Sequence, residues 1–318
     1  MDAHMETVIS LDDVEAAAER IKDRVRRTPC LRTRFIREPV HPNLMLKLEC
    51  LQVTGSFKAR GANNAVLTLD DAALGRGVVT ASSGNHGVAV AYAAHASEAK
   101  AVVYLPERAD RAKVGQLERW GAEGVITGDV WDDANAAALA RAATDGLTYI
   151  HPFADPAVIA GQGTVAREML KQSPGIDVIL VGIGGGGLIS GVASAAKAIK
   201  PEVRVIGVEP SGAPTLKTSL ESRTVVSLDE ITSAALPLAL KQSAALNLEI
   251  IGRRVDDVVL VDDSEMQAAA RWLFREMSLA TDLAGAAALA ALQSGKVSVP
   301  DQQTVCAIVC GAGTDGIS

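Results

Sequence analysis

Short β-branched or apolar runs alternate along the chain with longer segments of helical period. The short runs are Met45–Leu48, Val78–Thr80, Ala101–Leu105, Val125–Ile126, Val178–Val181, Val203–Val208, Val258–Val261 and Thr304–Val309. They predict strands buried on both faces. The segments Ala112–Trp120, Ala134–Ala143, Ala157–Leu170, Leu188–Ile199, Ser264–Met277 and Ala284–Leu292 predict helices. The first element is also a helix. Ser10 and Asp13 make an S-x-x-D capping signal, Val14, Ala17, Ile21 and Val25 share one face, and Pro29 ends it, which predicts Leu11–Arg27. Strand–helix alternation of this kind implies an α/β fold with parallel sheets covered by helices.

Composition narrows the picture. At 318 residues the chain suits two domains, and no low-complexity linker divides it, so the chain is expected to cross between them more than once. With 48% hydrophobic and only 3% aromatic residues, the core is expected to be Ala, Val, Leu and Ile. A net charge of −7 without a basic run argues against nucleic acid as a partner. Apolar stretches break well before the roughly 18 residues that span a bilayer, so no membrane partner is expected. The polar, acidic first ten residues carry no apolar signal core, and a cytoplasmic protein is expected. Cys30, Cys50, Cys306 and Cys310 lack CxxC spacing and are expected to be reduced; the five scattered histidines predict no metal site.

Candidate chemistry lies just after the predicted strands, where open α/β sheets bind ligands. Val178–Val181 runs into Gly182-Ile183-Gly184-Gly185-Gly186-Gly187, with a helix from Leu188. Backbone N–H groups converging at such a helix start make an anion cradle. Gly182, Gly184 and Gly187 also satisfy G-x-G-x-x-G, and Glu209 follows where a dinucleotide site would place its ribose carboxylate. The motif says phosphate without saying whose, and a glycine turn needed only for tight packing stays open beside it. Lys58 sits at the first turn of a predicted helix, Lys58–Leu67. The positive end of the helix dipole there favours the neutral amine, which can add to an aldehyde. By position alone, a solvated surface lysine is the ordinary reading.

The surrounding residues change that. Gly55-Ser56-Phe57-Lys58-Ala59-Arg60-Gly61-Ala62 closely resembles the cofactor-lysine motif of the serine/threonine dehydratase and serine racemase family, fold-type II pyridoxal-phosphate enzymes. Ser82-Ser83-Gly84-Asn85-His86-Gly87 is similar to that family's substrate loop. His151-Pro152-Phe153 with Gly161-Gln162-Gly163-Thr164, and the Gly184–Gly187 turn, are similar to two further motifs, in the right order. The resemblance implies two domains with twisted, mostly parallel sheets flanked by helices, like the tryptophan synthase β chain. Residues 1–52 and 146–318 would form the large cofactor-binding domain and 53–145 the small one, with the active site in the cleft. Pyridoxal 5'-phosphate would be held by Lys58, with Phe57 and Asn85 against the ring. Gly184, Gly185, Gly186, Gly187 and Leu188 would hold its phosphate, and Cys310 would face the pyridine nitrogen. Ser82, Ser83, Asn85 and His86 would bind the substrate carboxylate. Lys58 would take the α-proton, with Ser83 able to return one on the other face.

The sequence departs from the family pattern in places. Cys310-Gly311-Ala312-Gly313 stands where S-G-G-N is usual, so Cys310 replaces the serine and Gly313 the asparagine. A thiol is a weak, uncharged partner for a ring nitrogen, which favours elimination over transamination. Thr215 replaces an acidic ligand of the cation site some members carry beyond Glu209. Thr232-Ser233-Ala234-Ala235 replaces an A-D-G run, and Thr281-Asp282 alters the usual E-P or E-G pair. The expected activity is β-elimination from L-threonine or L-serine to a 2-oxo acid and ammonia. A serine racemase, or a dehydratase of 3-hydroxyaspartate or phenylserine, is the alternative. The small amino-acid substrate is the expected partner, and a homodimer or homotetramer the expected assembly. The chain ends soon after Cys310, so inhibition by isoleucine is not expected.

Overall fold

The computed structural model describes residues 9–82, 84–107, 109 and 111–317. Helix α1 (Leu11–Ile21) starts at a reciprocal capping box between Ser10 and Asp13 and buries Val14, Ala17 and Ile21. It stops six residues short of the expected Arg27, because the backbone beyond it bonds elsewhere. The Arg26 N–H, which a longer helix would send to the Lys22 carbonyl, donates instead to Gln52 Oε1 at 2.7 Å, and Gln52 Nε2 donates back to the Arg26 carbonyl at 2.8 Å. Strands β1 (Cys30–Arg32) and β2 (Leu44–Leu48) pair antiparallel. Then come α2 (Lys58–Leu67), α3 (Asp71–Arg76), β3 (Val78–Ala81), α4 (Asn85–Ala96), β4 (Ala101–Leu105) and α5 (Arg111–Arg119). β5 (Glu123–Ile126), α6 (Trp131–Asp145) and β6 (Thr148–Tyr149) follow, and α7 (Pro156–Gln172) leads to β7 (Val178–Gly182). The chain continues through α8 (Gly187–Ile199), β8 (Arg204–Pro210), α9 (Thr215–Ser222), α10 (Ala245–Arg254) and β9 (Asp257–Val261). It finishes with α11 (Asp263–Met277), α12 (Leu283–Gln293) and β10 (Val305–Val309).

The strands form two sheets, one of six in the order β1-β2-β10-β7-β8-β9 and one of four in the order β5-β4-β3-β6. Among the described residues, only the β1–β2 strand pairing is antiparallel. The fold is therefore the expected α/β architecture of two helix-flanked sheets. The smaller sheet runs on to Tyr149, because Thr148 and Tyr149 pair with Val78 and Val79, four residues past the boundary expected at Asp145. β2, β7 and β10 are buried along their whole length, which is why they read as apolar runs broken only by Lys47. α12 is apolar all round and buried from Leu283 to Leu292. No helix among the described residues is long and apolar enough to cross a membrane.

One polar cluster interrupts this core. Arg60 on α2 forks onto Glu49, its Nε and Nη2 donating to the two carboxylate oxygens at 2.8 Å each. It also reaches Glu168 on α7 (3.2 Å) and Thr164 (3.3 Å), while Lys47 of β2 donates to Glu168 at 2.6 Å. Arg60, Lys47 and Glu49 are buried. The two helices touch through glycine: a Cβ on Gly161 would lie 2.6 Å from the Gly61 Cα. The Arg60-Gly61 and Gly161–Thr164 motifs thus clamp α2 onto α7 and fix where α2 begins.

Candidate active site

Residues from both sheets enclose a cavity of about 940 Å³. Three of the helices that begin on it, α2 at Lys58, α4 at Asn85 and α8 at Gly187, have no side-chain cap. α9 and α10 lack one too, whereas α1, α3, α7, α11 and α12 are capped by Ser10, Asp70, Asp155, Asp262 and Asp282. Uncapped first-turn N–H groups and the positive dipole ends make this cavity welcoming to anions.

Lys58 projects into the cavity with its Nζ donating to the Pro152 carbonyl at 2.7 Å, 5.2 Å from the Phe57 ring centre. Burial in the cleft lowers the amine to about 8. The chain reaches this helix start through two left-handed residues, Thr54 (φ +64°) and Gly55 (φ +79°). It is tied to the end of β10 by bonds from Phe57 N to Cys310 O (3.2 Å) and Ala312 N to Gly55 O (2.8 Å).

The glycine turn lies against the His151-Pro152-Phe153 segment. A Cβ on Gly185 would overlap the Phe153 ring, and one on Gly187 would fall 2.9 Å from the Phe153 Cα. A Cβ on Gly184 would meet the Pro237 carbonyl at 2.7 Å, and Gly186 has φ +93°. The turn is held by Ser243 Oγ donating to Gly185 O (2.9 Å), and Asn247 Nδ2 donates to Phe153 O (3.0 Å). Gly184, Gly185, Gly186, Gly187 and Leu188 all line the cavity.

Ser82, Asn85 and His86 line it too, while Ser83 lies outside the described residues. Ser82 Oγ accepts from Gly84 N at 3.1 Å. Asn85 Nδ2 points to Asp282 Oδ2 at 3.4 Å, leaving Asn85 Oδ1 buried without a partner. His86 meets the Ile150 carbonyl through Nε2 at 3.2 Å, so that nitrogen carries the proton. Burial, with Lys58 nearby, holds His86 well below the ordinary imidazole range. Cys310 closes the wall, its Sγ donating to Ala284 O at 3.4 Å. Burial first, then the Asp282 charge, pushes this thiol far up. Phe57 and Cys310 line the same cavity as Lys58.

Beyond Glu209 the polar groups are committed. Its carboxylate accepts from Leu216 N and Lys217 N at 2.8 Å each, and the Thr215 hydroxyl donates to Leu240 O at 2.5 Å. Burial raises Glu209 to about 7 against those two N–H bonds.

Sequence reasoning missed Pro152 O, Ser243, Asn247, Trp131 and the Arg60 network. Trp131 lines the cavity with its indole N–H on Ala81 O at 3.1 Å. One signal was available: Lys47 interrupts an otherwise apolar strand, and a lone charge there needs a buried partner.

The donors fit pyridoxal phosphate. They supply a desolvated amine for its aldehyde, an uncapped helix start behind a glycine turn for its phosphate, and orphaned polar atoms at Thr54 Oγ1 and Asn85 Oδ1 in the wall. Comparison with known proteins agrees. Residues 21–311 match the family model described as "Pyridoxal-phosphate dependent enzyme". An L-threonine ammonia-lyase of Geobacter sulfurreducens is 39% identical over 298 residues, 94% of this chain and 74% of that one. Maize serine racemase superposes with a TM-score of 0.92 at 35% identity, over 97% of this chain and 94% of its own. The processed form of threonine deaminase isoform 2 from Solanum lycopersicum superposes with a TM-score of 0.90 at 32% identity, over 96% and 89%. The chain belongs to this family of pyridoxal-phosphate-dependent enzymes, and pyridoxal 5'-phosphate is its cofactor.

Proposed function

We propose that this enzyme eliminates water from a small β-hydroxy amino acid, L-threonine or L-serine, and releases a 2-oxo acid and ammonia. The observation that carries the reading is the Lys58 amine, lowered to about 8 by burial where three uncapped helices converge. The threonine-specific names of the Geobacter and tomato relatives point the same way.

When bound, pyridoxal phosphate supplies an electron sink for the charge left at the substrate Cα. The chain supplies the rest. The α4 N-terminus, with Ser82, Ser83 and the Asn85 backbone N–H, binds the substrate carboxylate, as the α8 N-terminus with Gly184–Leu188 binds phosphate. The neutral Lys58 amine takes the α-proton, and Pro152 O orients it. The pair of electrons from the Cα–H bond forms a Cα–Cβ double bond as the β-hydroxyl leaves with a proton, as water. The resulting enamine is hydrolysed to the 2-oxo acid and ammonia. Cys310, held as a thiol by burial, places no charge of its own in the wall. The segment from residue 53 to the end of the smaller sheet at Tyr149 and the remainder of the chain act as small and large domains about this cleft. Four free cysteines support a reducing, cytoplasmic setting, and a homodimer or homotetramer completes the reading.

The similarity to maize serine racemase favours racemisation as the second reading, with Ser83 returning the proton to the opposite face. Incubation with L- and D-threonine and serine separates the two. The 2-oxo acid without loss of chirality in the remaining substrate supports elimination. Racemised substrate without 2-oxo acid overturns it.

A further inference from the structure

Two of the departures from the family pattern, Thr281-Asp282 and Gly313, touch each other. A Cβ on Gly313 would lie 2.8 Å from the Asp282 Cβ, and one on Gly311 would lie 2.9 Å from Asp282 Oδ2. A side chain at 313 would therefore overlap the Asp282 Cβ and backbone, and one at 311 would displace its carboxylate. Bridges from Ser56 to Gly311 and from Thr281 to Ala312 lock this strip to the segment that begins α2, so Asp282 is fixed relative to Lys58.

Asp282 is buried and lines the cavity beside Asn85 and Cys310. Its Oδ1 caps α12 through Gly285 N at 2.6 Å, and its Oδ2 faces Asn85 Nδ2 at 3.4 Å, linking α12 to α4 across the cleft. A carboxylate can only accept, so the Asn85 amide must turn its nitrogen to Asp282. The Asn85 Oδ1, an acceptor, is the atom left buried without a partner. Cys310 spends its weak donor on Ala284 O. This side of the cavity thus offers a ligand negative charge and acceptors, and it selects for a ligand that brings the proton itself.

We infer that Asp282 is a positioning residue of the cofactor wall: it fixes the Asn85 amide and biases bound pyridoxal phosphate toward its protonated forms. The inference rests on the cofactor assignment to Lys58. The ionisable groups that line the cavity or act on Asp282 are Lys58 on α2, Cys50 after β2, His86 on α4, Arg119 on α5, and Cys310 and Asp315 after β10. Burial keeps His86 neutral and both thiols protonated, and the charge of Asp282 pushes both thiols further up.

The test is a pH titration of the visible absorbance of the holoenzyme, which needs no turnover. Asp282→Asn keeps a good helix cap and removes the charge. Its absorbance midpoint falls by about one pH unit or more relative to wild type, the size expected from losing an opposite charge a few ångströms away. An unchanged midpoint with cofactor bound overturns the inference. If Asp282→Asn does not hold the cofactor, Asp282→Ser, which also caps, is titrated instead, and the same two outcomes apply. If both are folded but empty, Asp282→Glu decides: recovered binding supports the role of the charge, and continued loss reduces Asp282 to a helix cap. A wild-type protein that shows no lysine-dependent chromophore refutes the Lys58 assignment itself, a failure distinct from any of these.

Discussion

Replacing Arg60 by methionine isolates the buried network that seats α2. Arg60 makes two 2.8 Å bonds to Glu49 and weaker ones to Glu168 and Thr164. Methionine fills much of the space and supplies none of these. Glu49, fully buried, would keep the Thr28 hydroxyl (2.5 Å) and a cation, Lys47, only at 4.0 Å. Removing one partner of a buried ion pair costs about 3–5 kcal/mol, because the other charge is left uncompensated. With a fork lost, about 4 kcal/mol is the expected figure, a large share of the roughly 5–15 kcal/mol that holds most proteins folded. At about 2.1 cal/mol/K per residue, 318 residues give an unfolding entropy of about 0.7 kcal/mol/K, so the melting temperature falls by about 6 °C. Calorimetry measures this directly. The decisive comparison is the double variant Arg60→Met/Glu49→Gln, which removes both charges of the fork and should regain about half the loss. A single variant within 1 kcal/mol of wild type, or a double variant that costs the sum of the two singles, would refute the argument.

Three further outcomes follow from the same geometry. Cofactor-free protein should add pyridoxal phosphate with a pH midpoint near 8, where half of Lys58 is neutral, against about 0.3% for an amine at its ordinary 10.5; a midpoint near 10 by stopped-flow absorbance counts against its desolvation. His151 is held at about 4 by burial, and by Lys58, so the unfolded chain binds its proton first. Stability from this group is therefore present above pH 6.5 and lost as pH falls toward 4, by about 2–3 kcal/mol, and His151→Gln should flatten that limb in urea titrations at pH 6.5 and 4.5. Gly185→Ala must displace the Phe153 ring at a cost of about 1–3 kcal/mol, and should weaken cofactor binding measured by equilibrium dialysis.

The sheets were legible because β2, β7 and β10 are buried on both faces and so carry no polar interruption, apart from Lys47. β1 and β6 were not, since three residues at an edge and two beside β3 are too few to show a period. The end of α1 was hidden for a different reason. Nothing local stops the helix at Ile21; Gln52, distant in sequence, takes the Arg26 N–H that a longer helix would have used. In the site, Lys58, Asn85, the glycine turn and Cys310 were visible through their motifs. Arg60 stood inside one of those motifs, yet its role depends on Glu49 and Glu168, which no spacing rule connects. The contact between Asp282 and Gly313 was equally out of reach, because a turn between α12 and β10 creates it only in three dimensions.

The glycine turn had three readings, and the structure separates them by their partners rather than by the glycines. As a dinucleotide site it needs the Glu209 carboxylate for a ribose hydroxyl, but both oxygens of that buried group are taken by Leu216 N and Lys217 N at the start of α9. As pure packing it is well explained, since Phe153 and the Pro237 carbonyl fill the places where side chains at 184, 185 and 187 would go. Four glycines are therefore no evidence for phosphate by themselves. The evidence lies one residue further on. α8 begins without a side-chain cap, as do α2 and α4, and all three open onto the one cavity that holds Lys58. A single bare helix end could be left to water. Three aimed at a buried amine make a site that is complete only when anions fill it, one at the glycine turn and one at the Ser82–Asn85 loop. A phosphorylated aldehyde and an amino-acid carboxylate meet that requirement together, and a dinucleotide does not.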